Sequence, residues 1–203
     1  LLWVGDAGEP ATMSFTRESA VANDVGDGVV TVSRSGRVFA YAPGTSTLVT
    51  AEREGQAWRT KTRMVKGFQS VGTLSITAVG DKPVIYDQGG NKLVMPDGSV
   101  RDLAEDHVSG AVLQDPGDDA SSVLLATDSE LVSVPLSGRG VERQDASESK
   151  AEGTPAPPVF HRGCSYAAWA GSGAYVRLCE DKTRNQKQTV DELAKVSSVV
   201  FRT

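Results

Sequence analysis

Turn signals recur along this chain at nearly even intervals, and that recurrence limits the fold more than any single residue does. The pairs Ser35-Gly36, Gly89-Gly90, Asp128-Ser129 and Gly171-Ser172 centre near positions 35, 89, 128 and 171, so successive gaps are 54, 39 and 43 residues. Short runs of branched and aromatic residues flank each turn, the signature of hairpins. Central runs such as Val84-Ile85, Leu124-Leu125 and Ala167-Ala168-Trp169 are apolar on both faces. A half-exposed sheet would alternate instead. A lone four-stranded sheet with two apolar faces cannot bury itself, so such units must stack. A period of about 40–45 residues with four short strands per unit is the pattern of a β-propeller blade.

The second unit reads most clearly. Leu74–Val79, Pro83–Tyr86, Leu93–Met95 and Val100–Leu103 are separated by Gly80-Asp81, Gly89-Gly90 and Pro96-Asp97-Gly98. The first unit runs Val29–Val32, a turn at Ser35-Gly36, then Val38–Tyr41, with Val32 expected opposite Phe39 and Val30 opposite Tyr41. Thr47–Ala51 follows, and the basic stretch 52–69 reads as an extended blade edge plus an inserted loop carrying Trp58. The third unit comprises Gly110–Leu113, Val123–Ala126, Leu131–Val134 and a strand near Val141-Glu142-Arg143. The fourth comprises Pro158–Phe160, the hairpin through Cys164 and Cys179, and an outer segment through Gln188-Thr189-Val190. Segment 145–158 is read as a connection between blades, and 191–195 as either a helical turn or a strand tail.

Val199–Arg202 lacks a downstream partner, and Leu1–Val4 with Thr12–Thr16 lacks an upstream one. Joined, they would make a further blade and abolish the open edges. The expected fold is therefore all-β, a single β-propeller over 1–203. It has about five four-stranded blades (196–203 with 1–17; 18–55; 70–104; 108–145; 155–192) and is closed by its N- and C-terminal strands.

The hairpin Cys164–Cys179 contains both cysteines of the chain. A two-residue turn at Gly171-Ser172 places Cys164 opposite Cys179, Tyr166 opposite Arg177, Ala168 opposite Tyr175, Ala167 opposite Val176 and Ser165 opposite Leu178. Facing Cα atoms roughly 5.5 Å apart lie within disulfide range. That spacing belongs to a hydrogen-bonded pair, and a bulge at Gly173 would shift the parity. A disulfide implies an oxidising, extracellular compartment. Two cysteines without a CxxC, and two histidines, suit a bridge better than a metal site. No metal and no cofactor is expected.

Net charge is −5 over 203 residues with both signs dispersed, so no basic footprint argues for nucleic acid. Apolar runs such as Val123–Ala126 fall far short of the roughly 20 residues a membrane helix needs, so no membrane contact is expected of this domain. The opening on Leu1-Leu2-Trp3-Val4 looks like an excised segment. A monomer is expected.

Chemistry-bearing constellations are sparse. His107, beside Asp106 and Glu105, reads as a solvated loop histidine, and His161 as a strand-end residue that packs or bonds a carbonyl. Asp115, Asp118 and Asp119 superficially suggest calcium, but their order fits no EF-hand. The inner strands Leu74–Val79, Gly110–Leu113 and Val159–Phe160 carry no acid, which argues against paired carboxylates on those strands; loops could still supply them. No nucleophile elbow, Walker loop or dinucleotide fingerprint is present. Trp169 reads as core, filling the taper between blades.

The run GCSYAAWAGSGAYVRLC followed by SSVVFRT, with an opening LLWVGD, resembles the extracytoplasmic repeat region of large fibronectin type III/Ig-like domain proteins of high-GC Gram-positive bacteria. Gly163, Cys164, Ala167, Ala168, Trp169, Arg177, Cys179, Phe201 and Arg202 carry the resemblance. It covers the last 40 residues well and the rest only as repeat architecture. It implies a membrane-anchored or secreted surface protein, and it supplies no catalytic residues.

The expected function is a non-enzymatic interaction module of the cell envelope. It would bind a protein or wall polysaccharide through loops 52–69, 115–120 and 145–158 on one propeller face. Candidate binding residues are Trp58, Arg59, Lys61, Arg63, Asp115, Asp118 and Asp119. The alternative is a glycan-active hydrolase or lyase with loop-supplied carboxylates. The central channel discriminates: converging carboxylates with raised pKa values favour the enzyme, and a Val/Ile/Ala plug favours the binder.

Overall fold

Branched and aromatic runs pack well on a pleated surface, while Gly, Asp and Pro between them accept the tight backbone of turns. The outcome is visible in a computed structural model describing residues 2–4, 10–12, 28–104, 106–146 and 152–201. Strands β1 (Leu2–Val4) and β2 (Pro10–Thr12) form a two-stranded antiparallel ribbon. The expected Thr12–Thr16 strand is thereby shifted toward the N-terminus, and 13–16 lies outside the described residues.

Four antiparallel meanders follow in chain order. The first is β3 (Val29–Val32), β4 (Val38–Ala42), β5 (Thr47–Glu54) and β6 (Ala57–Met64). The second is β7 (Leu74–Val79), β8 (Lys82–Asp87), β9 (Lys92–Val94) and β10 (Val100–Asp102). The third is β11 (Val112–Leu113), β12 (Ser122–Ala126), β13 (Glu130–Pro135) and β14 (Glu142–Asp145). In the fourth, β15 (Thr154–Pro155) and β16 (Val159–His161) both pair with β17 (Cys164–Ala170). Strands β18 (Ala174–Cys179) and β19 (Gln186–Thr189) complete it.

The leading strands of successive sheets converge. Gly117 N–H donates to Ala78 O at 3.0 Å, Asp115 N–H to Pro158 O at 2.9 Å and Asp118 N–H to Phe160 O at 3.1 Å. Glycine is required at 117, because a Cβ there would sit 2.7 Å from Phe160 O. The result is a propeller-like succession of sheets.

Apolar faces meet between sheets, as the double-sided patterning requires. Phe39, Tyr41 and Leu48 of the first sheet pack with Ala78, Ile85 and Val94 of the second. Val84, Tyr86 and Leu93 pack with Val123, Leu125 and Val132 of the third. Leu124, Ala126 and Leu131 pack with Ala167, Trp169 and Val176 of the fourth. Among the described residues no buried cluster joins the fourth sheet to the first. Trp169 is fully buried and donates its indole N–H to Thr127 O at 2.7 Å, tying the fourth sheet to the third.

The cystine hairpin has the expected register, Cys164 opposite Cys179 through Ala168 opposite Tyr175. The bridge forms, with a Cα–Cα distance of 4.0 Å rather than about 5.5 Å, because the facing pair is of the narrow, non-hydrogen-bonded kind. Gly173 causes this parity. Its φ is +75°, its N–H donates to Trp169 O at 3.1 Å, and it adds one residue to the loop.

Three expectations are corrected. In the first sheet Val32 faces Val38 and Val30 faces Ala40, one residue off the expected register. The loop spans 33–37, with Ser33 N–H bonded to Arg37 O at 2.8 Å, and a one-residue slip exchanges the two faces. Thr31 and Phe39 therefore face the second sheet, leaving Val30 and Val32 about 40% exposed (41% and 40%). Second, of the extended blade edge plus inserted loop expected over 52–69, the structure has the edge but not the loop. Most of it is a hairpin arm, β6, paired along its length with β5. Third, Val199–Phe201 forms no strand, and Arg202 lies outside the described residues. A 3₁₀ turn over Leu193–Lys195, pinned by Gly171 N–H to Leu193 O at 3.0 Å, leads the chain off the sheet, and Val200 is left 73% exposed.

Candidate functional site

In a four-stranded meander the first and third turns lie at one end, and the connection to the next sheet leaves from the other. Loops 114–121 and 145–158 therefore belong to opposite ends, and the expected single binding face splits. The first turns of all four sheets share one end: 33–37, Gly80-Asp81, 114–121 and Arg162-Gly163. Their polar side chains interlock. Ser33 and Ser35 hydroxyls donate to Asp81 Oδ1 at 2.8 and 2.5 Å, and Arg37 stands 3.7 Å from Asp81 Oδ2. Lys82 Nζ meets Asp119 Oδ1 at 2.7 Å.

The densest group lies around Asp118. Its Oδ2 accepts the Arg162 N–H at 2.8 Å and lies 3.1 Å from His161 Nδ1. Its Oδ1 lies 3.2 Å from Arg34 Nη1, which also comes within 3.1 Å of His161 Nδ1. Arg34 belongs to the first sheet, Asp118 to the third and His161 to the fourth, so one guanidinium reaches across the end of the sheets. Nδ1 cannot both donate and accept. With its proton on Nδ1 the ring donates to Asp118, Arg34 donates to Oδ1, and every group is satisfied. That tautomer leaves Nε2 with a free lone pair. Arg34, Ser35, Asp81, Lys82, Asp118 and Asp119 line a cavity of about 380 Å³ at this end.

The carboxyls of Asp81 and Asp118 are held below the usual range. For Asp81 the main cause is the Ser35 hydroxyl, helped by Ser33 and the Arg37 charge. For Asp118 it is the Arg162 N–H, followed by the charges of Arg34 and His161. Both folded-state pKa values lie below the unfolded ones. Their stabilisation is thus present above the unfolded carboxylate pKa of about 4 and lost as pH falls through the folded values. Thermal melts from neutral to acid pH should be flat and then fall below about pH 4, and the fall should be shallower in Asp81→Asn/Asp118→Asn. An acid limb identical in the variant would remove these carboxylates from the account.

Asp115 differs. It lines a second cavity of about 450 Å³, bounded by residues of the leading strands and their neighbours, among them Val30, Ile76, Gln88 and Val112. Burial pushes its carboxyl up. This cavity is therefore neither a plain apolar plug nor a converging carboxylate pair.

Of the expected binding residues, Asp118 and Asp119 lie together in this cluster and Asp115 beside it. Trp58, Arg59, Lys61 and Arg63 do not join them. They lie on β6, the outermost strand, where Arg59 pairs with Glu54 at 2.8 Å, Lys61 with Glu52 at 3.5 Å, and Arg63 donates to Pro96 O at 2.7 Å. His161 does end a strand, but it bonds a carboxylate rather than a carbonyl. Arg34, Asp81 and Lys82 carried no local motif. Their signal is positional, since each follows the leading strand of its sheet.

No family model matches the chain, and no curated protein matches it. Solved structures do. Selenomethionine-substituted virginiamycin B lyase from Staphylococcus aureus aligns with 13% identity and a TM-score of 0.48 over 83% of this chain and 57% of that one. A catalytically inactive histidine-to-alanine variant of that lyase, with quinupristin, aligns with 11% identity and a TM-score of 0.53 over 85% and 58%. At this identity the likeness is one of fold, and the chain spans somewhat over half the length of these structures. It corrects one expectation, that of a module without enzymatic activity: the second of these structures, of similar fold, is that of an enzyme.

Proposed function

We propose that the chain is part of a lyase- or hydrolase-type enzyme acting on an envelope polysaccharide, with its chemistry at the end where the four first turns meet. The observation that carries this is the Asp118–His161 pair, 3.1 Å apart, with Arg34 across it. Asp118 fixes the orientation and tautomer of the ring, which leaves Nε2 as the group that takes a proton. Arg34 and Lys82 supply positive charge for the anion that develops on substrate as that proton leaves. In a lyase step the C–H electrons form a double bond and the neighbouring C–O bond breaks, its electrons leaving with oxygen. In hydrolysis Nε2 would take the proton from water instead, the water oxygen bonding to the glycosidic carbon as its C–O bond to the leaving sugar breaks and that oxygen receives the proton. The carboxylates at this end are loop-supplied, and a histidine is essential in the lyase of similar fold.

A cell-surface setting is part of the same proposal, supported by the bridge between Cys164 and Cys179. So is a ring to which the ribbon β1–β2 contributes strands of a fifth blade.

The chain should be assayed on a panel of wall polysaccharides and on quinupristin. New double bonds are read by ultraviolet absorbance and new reducing ends by colorimetry. His161→Ala is expected to lower turnover by roughly 10²–10⁴-fold while the melting temperature holds. Full activity in that variant, or no turnover anywhere on the panel, would sink the reading.

A further inference from the structure

Each described carboxylate lining the first-turn cavity has a cation, hydroxyl or N–H against it: Asp81, Asp118 and Asp119 are all engaged. Asp115, in the second cavity, differs. Its backbone N–H is used by Pro158 O at 2.9 Å, but among the described residues nothing bonds or pairs with its carboxylate. Among the described residues it is also the only charged one lining the 450 Å³ cavity. Apolar walls come from Val30, Ile76 and Val112. Gln88 spends its Nε2 on Ala111 O at 3.3 Å, which leaves its Oε1 as an acceptor.

An unpaired carboxylate drawn part-way out of water costs stability unless an opposite charge joins it. Among the described residues the cavity is lined by acceptors and apolar walls but no cation, and its volume is that of a small-molecule site. From this geometry we infer that the second cavity is a binding site for a small organic cation, a primary ammonium on a sugar-sized body, held by Asp115. The inference is separate from the catalytic proposal, because it invokes neither Asp118 nor His161.

The upward displacement of the Asp115 carboxyl supplies a control. Its folded pKa lies above the unfolded one, so its contribution favours folding at low pH and is lost as pH rises. Asp115→Asn should therefore fold, and at neutral pH should melt no lower than wild type. The probes are glucosamine, which is cationic, and N-acetylglucosamine, which is neutral. They are titrated at neutral pH and followed by NMR shifts of the backbone amides of Val30, Ile76 and Val112.

Glucosamine is expected to shift those amides, N-acetylglucosamine to bind at least tenfold more weakly, and Asp115→Asn to lose the difference. Lowering the pH until Asp115 protonates should release glucosamine. Equal response to the two sugars, no response to either, or undiminished glucosamine binding in a folded Asp115→Asn would overturn the inference. None of these outcomes depends on turnover, so loss of the catalytic reading would leave the cation site standing, and the reverse also holds.

Discussion

Replacing Trp169 with alanine is expected to destabilise the protein by about 3–5 kcal/mol, the cost of deleting a large buried aromatic. The indole is fully buried between the third and fourth sheets, beside Leu124, Ala126, Leu131 and Val176. Neighbours held in hydrogen-bonded strands cannot collapse far into the space it vacates, so a cavity term adds to the lost transfer free energy. The indole N–H also satisfies Thr127 O at 2.7 Å. Trp169→Phe separates the two contributions. It retains much of the packing, leaves that carbonyl without its donor, and should cost roughly 1–3 kcal/mol. For a chain of this size the alanine variant should melt on the order of 10 °C below wild type. Denaturant midpoints of the two variants measure this, and an alanine variant within 1 kcal/mol of wild type would mean that Trp169 does not hold the two sheets together.

Removing the bridge by Cys164→Ser/Cys179→Ser is expected to cost about 2–4 kcal/mol. The two residues are 15 positions apart in sequence, and most of the effect comes from the unfolded chain, which regains the freedom the closed loop denies it. The register is set independently by Gly173 and by the pairs Ala167–Val176 and Tyr166–Arg177. The hairpin should therefore survive, and the variant should keep native amide shifts away from residues 164 and 179. Cys164→Ala/Cys179→Ala removes any penalty from burying a serine hydroxyl at the fully buried position 164. Reduction of the wild type should reproduce the loss. Equal melting temperatures for wild type and both double variants under non-reducing conditions would show that the bridge contributes nothing to stability.

The candidate site was legible only in part. Asp118 and Asp119 attract notice as acids in a polar turn, but Arg34 lies 84 residues from Asp118 in the chain and His161 lies 43 away, and no local spacing joins them. The basic run Trp58, Arg59, Lys61, Arg63 misleads for the converse reason. Charge density suggests a binding loop, whereas register with β5 puts these residues on an outer edge strand, where Arg59 pairs with Glu54 and Lys61 with Glu52.

Periodicity by itself determined that this is a chain of four-stranded antiparallel units with apolar faces on both sides. It also determined that Cys164 faces Cys179 and that Trp169 is buried. These follow from side-chain alternation and turn chemistry, which act over a few residues. Tertiary structure alone decided which turns share an end, which side chain reaches across to which, and that Val199–Phe201 leaves the sheet. Those outcomes depend on how one sheet packs against the next, and the long-range contacts that set that packing leave no local pattern in the residues that make them.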